Sequence, residues 1–251
     1  MIQLVDIHKS FGENKVLDGL NLTIETGSNT VLLGRSGSGK SVTIKHIIGL
    51  VQPDSGKVLI DGEELTGSSA VRLNRLRTKF GMLFQDAALF DSMSVWENVA
   101  FPLLEHRRGM KMAEVDAEVR RRLALVGLAG VEDRFPSELS GGMKKRVGLA
   151  RAIVLEPEIL LFDEPTSGLD PIMADAINQL IVKMGKELGV TNFIISHDVQ
   201  SALRIADKIA VLFRGKIIEE GSPNQISASQ NPVVMQFLQA TSLGPVAAEE
   251  V

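Results

Sequence analysis

The stretch GRSGSGKS, residues 34–41, constrains this chain more than any other, because it demands a particular backbone. Glycines at fixed places let successive N–H groups curl around an anion, and a helix N-terminus behind them adds partial positive charge. Such a loop needs a strand running in and a helix running out. TVLLG (30–34) reads as a short buried strand and residues 40–50 as a helix, so both flanks are provided. The pattern G-x-x-x-x-G-K-S therefore predicts a nucleotide-phosphate loop, in which Lys40 reaches the β- and γ-phosphates and Ser41 ligates Mg²⁺.

The rest of the chain is read against that requirement. Ile2, Leu4 and Ile7 begin a strand, and further strands are expected at 20–27, 57–65, 158–165 and 191–198, with a hairpin over 208–221 about Arg214-Gly215. Helices are expected at 113–126, 141–155, 172–188 and 199–206. Buried strands alternating with helices predict an α/β fold of the P-loop NTPase (RecA-like) kind: a mostly parallel sheet, an antiparallel β layer and an inserted helical subdomain. The expected division is a nucleotide-binding core at 1–85 and 156–222, a helical subdomain at 86–155 and a C-terminal tail at 223–251. With 251 residues, 44% of them hydrophobic, a well-buried core is available. The absence of cysteine excludes disulfides and thiolate metal sites, and the scattered His8, His46, His106 and His197 have no metal-ligand spacing. A net charge of −4 gives no global reason to expect nucleic acid as a partner. No signal-like start and no long apolar run are visible, so a cytoplasmic location is expected.

A phosphate loop needs an acidic partner for the metal. ILLFDE (159–164) offers one: four apolar residues bury a strand, and Asp163 emerges at its end, followed by Glu164, which is placed to polarise an attacking water. FIISH ends in His197 and GMLF is followed by Gln85, each at the end of an apolar run. A second glycine-rich helix start, LSGGM (139–143), looks redundant in a chain already equipped with a phosphate site. Ser140 can cap the helix while Gly141 and Gly142 expose N–H groups at its positive end. The economical reading is that this segment completes the phosphate site of a second copy, with two ATP molecules held head-to-tail across a two-fold dimer.

The ordered set GRSGSGKS, Gln85, LSGGM, ILLFDE, SGLD and His197 resembles the ATP-binding cassette (ABC) ATPase family over essentially residues 1–222. The resemblance implies ATP and Mg²⁺ as ligands. It implies that Phe11 stacks on adenine beside Val16, and that Gly34, Ser36, Gly37, Ser38, Gly39, Lys40, Ser41 and Val42 form the phosphate cradle. Ser41, Gln85 and Asp163 then hold the metal, Glu164 is the catalytic base, and His197 and Gln85 serve the reaction centre. Ser140, Gly141, Gly142 and Asp170 reach the partner's ATP. Met143 stands where the family usually has Gln, and Val42 where Thr is common. These departures, with KHIIGL (45–50) and DAALFDSMSVWENVAFPL (86–103), are similar to the Mla/Mce-associated subgroup, which implies lipid traffic across the bacterial envelope. Implied partners are a second copy, a multi-span permease docking near 86–103, and an Mce-domain lipid-binding protein, with the chain peripheral on the inner membrane. The alternative of a non-transport ABC ATPase, such as a cluster-assembly scaffold, stays open at this point. The basic groups at 72–79, 120–122 and 144–146 are expected to be solvated faces, and 231–240, with helical spacing, is expected to dock on the cassette or on a partner.

Overall fold

The structure is a computed structural model, and it describes residues 1–241. In chain order its elements are β1 (Ile2–Phe11), β2 (Asn14–Ile24), β3 (Asn29–Leu33), α1 (Lys40–Ile47), β4 (Ser55–Ile60), β5 (Glu63–Glu64), α2 (Ala70–Arg77), β6 (Phe80–Leu83), α3 (Val95–His106), α4 (Met112–Leu125), α5 (Gly141–Ile153), β7 (Ile159–Asp163), α6 (Pro171–Leu188), β8 (Thr191–Ser196), α7 (Val199–Ile205), β9 (Lys208–Phe213), β10 (Lys216–Gly221), α8 (Pro223–Ser227) and α9 (Pro232–Gln239). They form mixed sheets with helices, the expected α/β class. Two compact units divide the described residues, one built from residues 1–68 and 194–241, the other from residues 69–193.

In the first unit, an antiparallel sheet runs β2-β1-β4-β5. Ile2, Leu4, Ile7, Leu17, Leu20, Leu22 and Ile24 alternate onto its buried face, as a half-covered sheet requires. β3 pairs in parallel with β9, and β9 turns back into β10. Every residue of β3 is buried, which explains its unbroken apolar run. The β9–β10 turn has two residues, Arg214 (φ 49°) and Gly215 (φ 73°), both left-handed, the form whose twist suits a hairpin. A Cβ on Gly215 would stand 2.8 Å from the Val16 carbonyl and from the Asp18 N–H nitrogen, so glycine is also demanded by packing. The expected tail is more ordered than a tail: α8 and α9 are both entered through proline, and Val234 is 1% exposed. The last ten residues, Pro245 among them, lie outside the described residues.

In the second unit β6 pairs in parallel with β7. α3 starts on a reciprocal cap: Ser94 Oγ accepts from the Glu97 N–H at 3.2 Å, and Glu97 Oε2 accepts from the Ser94 N–H at 2.6 Å. α4 buries Val115, Val119 and Leu123 on one face, and α5 buries Val147, Leu149, Ala150 and Ile153. α2 escaped the sequence reading because only Leu76 of its eight residues is buried.

The expectation of solvated basic faces is overturned at two places. Arg122 is 3% exposed and bonds Glu118 at 2.5 Å and Glu156 at 2.7 Å, and Lys145 is 5% exposed. Arg122 is tolerated there because it pairs with two carboxylates, whereas Lys145 is held by a single carbonyl, that of Gln85, with Asp86, Asp163 and Glu164 drawing on its charge. Arg120 likewise bonds Asp116 and Glu132, and Asp116 accepts from the Trp96 indole N–H at 3.0 Å.

Candidate functional site

The phosphate loop lies wholly in the first unit. β3 delivers the chain to buried Gly34, and α1 begins at Lys40. Gly37 (φ 79°) and Gly39 (φ 103°) take left-handed backbone, and Gly39 also packs so closely on β2 that a Cβ would be 3.1 Å from Val16 Cγ1. Val16 thus lies beside the loop. Lys40 is 4% exposed, and its ammonium donates to the Gly34 and Arg35 carbonyls at 2.8 Å each. The helix start carries no side-chain cap at Gly39. The Ser38 hydroxyl is buried and has no hydrogen-bond partner among the described residues. Ser36 and Gly37 are exposed, while Ser41 and Val42 are half-buried on the first turn of α1. An uncapped helix N-terminus, a looped-in ammonium and an unpartnered hydroxyl are together the donor set a polyphosphate needs.

Two more predicted residues belong to this unit. Phe11 ends β1 and is 50% exposed, with Lys9 Nζ 5.4 Å from its ring centroid. An aromatic left this open has a face available for stacking. His197 follows β8 directly and is exposed, and Asp198 next to it caps α7 by accepting from the Ser201 N–H at 3.2 Å.

The second unit holds the remaining candidates. Asp163 closes β7 after four buried residues, and Glu164 turns out of the strand with left-handed backbone (φ 47°). For a residue other than glycine that conformation is costly, and it is a recurrent feature of functional sites. Gln85 follows β6, is exposed, and donates weakly from its side-chain amide to Ser167 Oγ at 3.4 Å. Ser140 caps α5, accepting from the Met143 N–H at 3.3 Å. Gly141 is exposed, but Gly142 is buried, and a Cβ there would stand 2.5 Å from Met173 Cε. Asp170 caps α6 through bonds from the Ile172 and Met173 N–H groups at 3.0 and 3.1 Å.

Sequence reasoning missed what lies beneath Gln85. Its carbonyl accepts from the Lys145 ammonium. Burial pushes the Lys145 pKa below its ordinary value, against the pull of Asp86, Asp163 and Glu164. In the sequence Lys145 is one member of the run KKR, and nothing local says which head turns inward. The aromatic stretch 86–103 divides in the structure. Val95 is fully buried, whereas Phe90 and Phe101 are about 40% exposed and face each other at 5.2 Å between ring centroids, lining an apolar groove with Phe84 and Pro102. Among the described residues, no cluster of three or more His, Asp or Glu is arranged to hold a metal, and no helix is long and apolar enough to cross a membrane.

Known proteins resemble this chain in sequence and in fold. The family model described as ABC transporter matches residues 17–167. The chain is 45% identical, over 99% of its length and 69% of the other's, to the probable ribonucleotide transport ATP-binding protein mkl of Mycobacterium tuberculosis. It is 41% identical, over 98% of its length and 91% of the other's, to the intermembrane phospholipid transport system ATP-binding protein MlaF of Escherichia coli. Among solved structures, a dimeric ATP-binding cassette in a post-hydrolysis state bound to ADP and Pi superposes with a TM-score of 0.81 at 32% identity, covering 89% of this chain and 99% of that one.

Proposed function

This chain belongs to the ABC transporter family and is its ATP-binding, ATP-hydrolysing subunit; from that premise we propose that it powers movement of phospholipid, or another lipid, through a separate membrane permease of the bacterial envelope. The observation that carries the cargo is the 41% identity to MlaF over nearly the whole of both chains.

In this reading the ATP phosphates lie on the loop from Gly34 to Val42, with Lys40 turning from the Gly34 and Arg35 carbonyls to the β- and γ-phosphates and Ser38 donating its hydroxyl. Phe11 and Val16 receive the base. Ser41, Gln85 and Asp163 are the oxygen donors we assign to Mg²⁺, which would spread the charge of the phosphates. Glu164 takes a proton from water as the water oxygen attacks the γ-phosphorus. The bond to the β-phosphate oxygen breaks, and ADP and phosphate leave. Gln85 and His197 orient the water and the γ-phosphate. Ser140, Gly141, Gly142 and Asp170 meet the nucleotide of a second copy, so that ATP binding closes a homodimer and hydrolysis reopens it. The dimeric cassette with ADP and Pi supports this arrangement. The functional division follows 1–85 with 156–222 for the nucleotide core, 86–155 for the helical subdomain and 223–251 for the tail. The groove edged by Phe84, Phe90 and Phe101 is the surface offered to the permease, which would hold the chain on the inner face of the membrane. An Mce-domain lipid-binding protein would complete the assembly.

The 45% identity to mkl favours a second reading, with a ribonucleotide as cargo. One experiment separates the two. The tagged chain is purified from native membranes in mild detergent, and co-purifying proteins, lipids and nucleotides are identified by mass spectrometry. A stoichiometric multi-span permease with bound phospholipid is expected. A permease free of lipid that binds ribonucleotide would favour the second reading, and soluble partners alone would end both.

A further inference from the structure

Two cations of α5 grip the backbone around Gln85. Lys145 donates to the Gln85 carbonyl, and further along the same helix Arg151 donates to the carbonyls of Ala87 at 2.7 Å and Ala88 at 2.8 Å. Between the two cations Gly148 lets the loop lie against the helix: a Cβ there would be 2.8 Å from Leu83 Cδ1 and 3.1 Å from Ala87 Cβ. Ala87 and Ala88 both have left-handed backbone, φ 59° and 47°. Residues with a Cβ stay in that region only when their surroundings hold them there. A charged donor to a carbonyl is a stronger holder than an amide, and both donors here project from one helix. Arg151 is itself fixed, with its guanidinium 5.8 Å from the Phe90 ring centroid.

We propose that Lys145 and Arg151 are positioning residues that clamp backbone 85–88 onto α5 and so hold the Gln85 side chain in one place for hydrolysis. The proposal rests on the reading of this chain as an ATPase with Gln85 at the reaction centre. The clamp acts through Gln85 and touches no nucleotide of its own. It also joins the helix that begins at Ser140 to the loop carrying Gln85, so the two are displaced together.

The test uses the full chain. Steady-state kcat, KM for ATP and equilibrium nucleotide affinity are measured for the wild type, Lys145→Met, Lys145→Arg, Gln85→Ala and the double variant of Lys145→Met with Gln85→Ala. Lys145→Met is expected to lower kcat about 10- to 100-fold and to leave KM within about twofold, because misplacing a reacting group costs rate rather than binding. Lys145→Arg keeps a charged donor and is expected to retain most of the rate. In the Gln85→Ala background, Lys145→Met is expected to add nothing. A loss that adds in full overturns the clamp while leaving Gln85 in its role. An unaffected Gln85→Ala variant removes Gln85 from the reaction and the clamp with it. Amide hydrogen exchange gives a readout apart from catalysis: residues 85–88 are expected to exchange about tenfold faster in Lys145→Met and in Arg151→Met, with α5 unchanged. Unchanged exchange at 85–88 overturns the proposal.

Discussion

Ser38 carries a buried hydroxyl for which the described residues supply no partner. An unsatisfied buried group costs about 1–3 kcal/mol, and in the proposed function a phosphate oxygen accepting from Ser38 would remove that cost. Ser38→Ala is therefore expected to weaken ATP binding by about 2- to 10-fold, the worth of one hydrogen bond, with no loss of melting temperature; calorimetric titration and thermal unfolding check both halves. Glu164→Gln keeps the shape of the side chain but cannot take a proton. Its kcat is expected to fall by about 10²–10⁴ while ATP still binds, and near-normal turnover would remove Glu164 from the role of base. At this scale the sequence exposes candidates that a spacing or a strand end singles out, such as Lys40, Asp163 and His197. It conceals those defined by their surroundings. Ser38 and Ser36 look alike in GRSGSGKS, yet Ser36 is exposed and Ser38 is the orphan.

Among the elements, the β9–β10 hairpin depends on a single residue in a way that one substitution can test. Gly215→Ala forces a Cβ into left-handed backbone and against the Val16 carbonyl, and is expected to destabilise the chain by about 2–4 kcal/mol in urea unfolding. The start of the antiparallel sheet carries a pH-dependent tie: Asp54 accepts from Lys9 Nζ at 2.6 Å and from the Ser10 N–H at 2.7 Å. The Lys9 bond holds the Asp54 carboxyl below its ordinary pKa of 3.8. A folded pKa below the unfolded one stabilises in full above the unfolded value, and this is lost as the pH falls through the folded value. Asp54→Asn should therefore flatten the acid limb of a stability–pH curve below about pH 4 and leave its shape at neutral pH unchanged. The apolar strands and amphipathic α4 were legible because burial imposes a period on the sequence. α2 was not, since a helix held mainly by local bonds and one buried leucine imposes none. In the last stretch Pro223 and Pro232 occupy first helical turns, where a missing N–H costs nothing.

For the whole molecule, the expectation concerns its partner copy. Ser140→Arg should leave ATP binding by the monomer intact and abolish the ATP-dependent dimer seen by light scattering in a Glu164→Gln background; a persistent dimer would contradict the role given to the start of α5. The α/β class and the order of the phosphate, signature and acidic segments were legible because each depends on a local pattern. The web of Arg122, Glu118 and Glu156 was not, because Arg122 and Glu156 stand 34 positions apart and either could have faced water. Separation along the chain has a further consequence. β3, buried along its whole length, is hydrogen-bonded in parallel to β9, and all of residues 69–193 are made between them. At about 5–20 residues per second of synthesis, β3 spends roughly 10–35 s outside the ribosome before β9 exists. During that interval the strand that feeds the phosphate loop is a bare, sticky edge, and the newborn chain is a natural client for a chaperone.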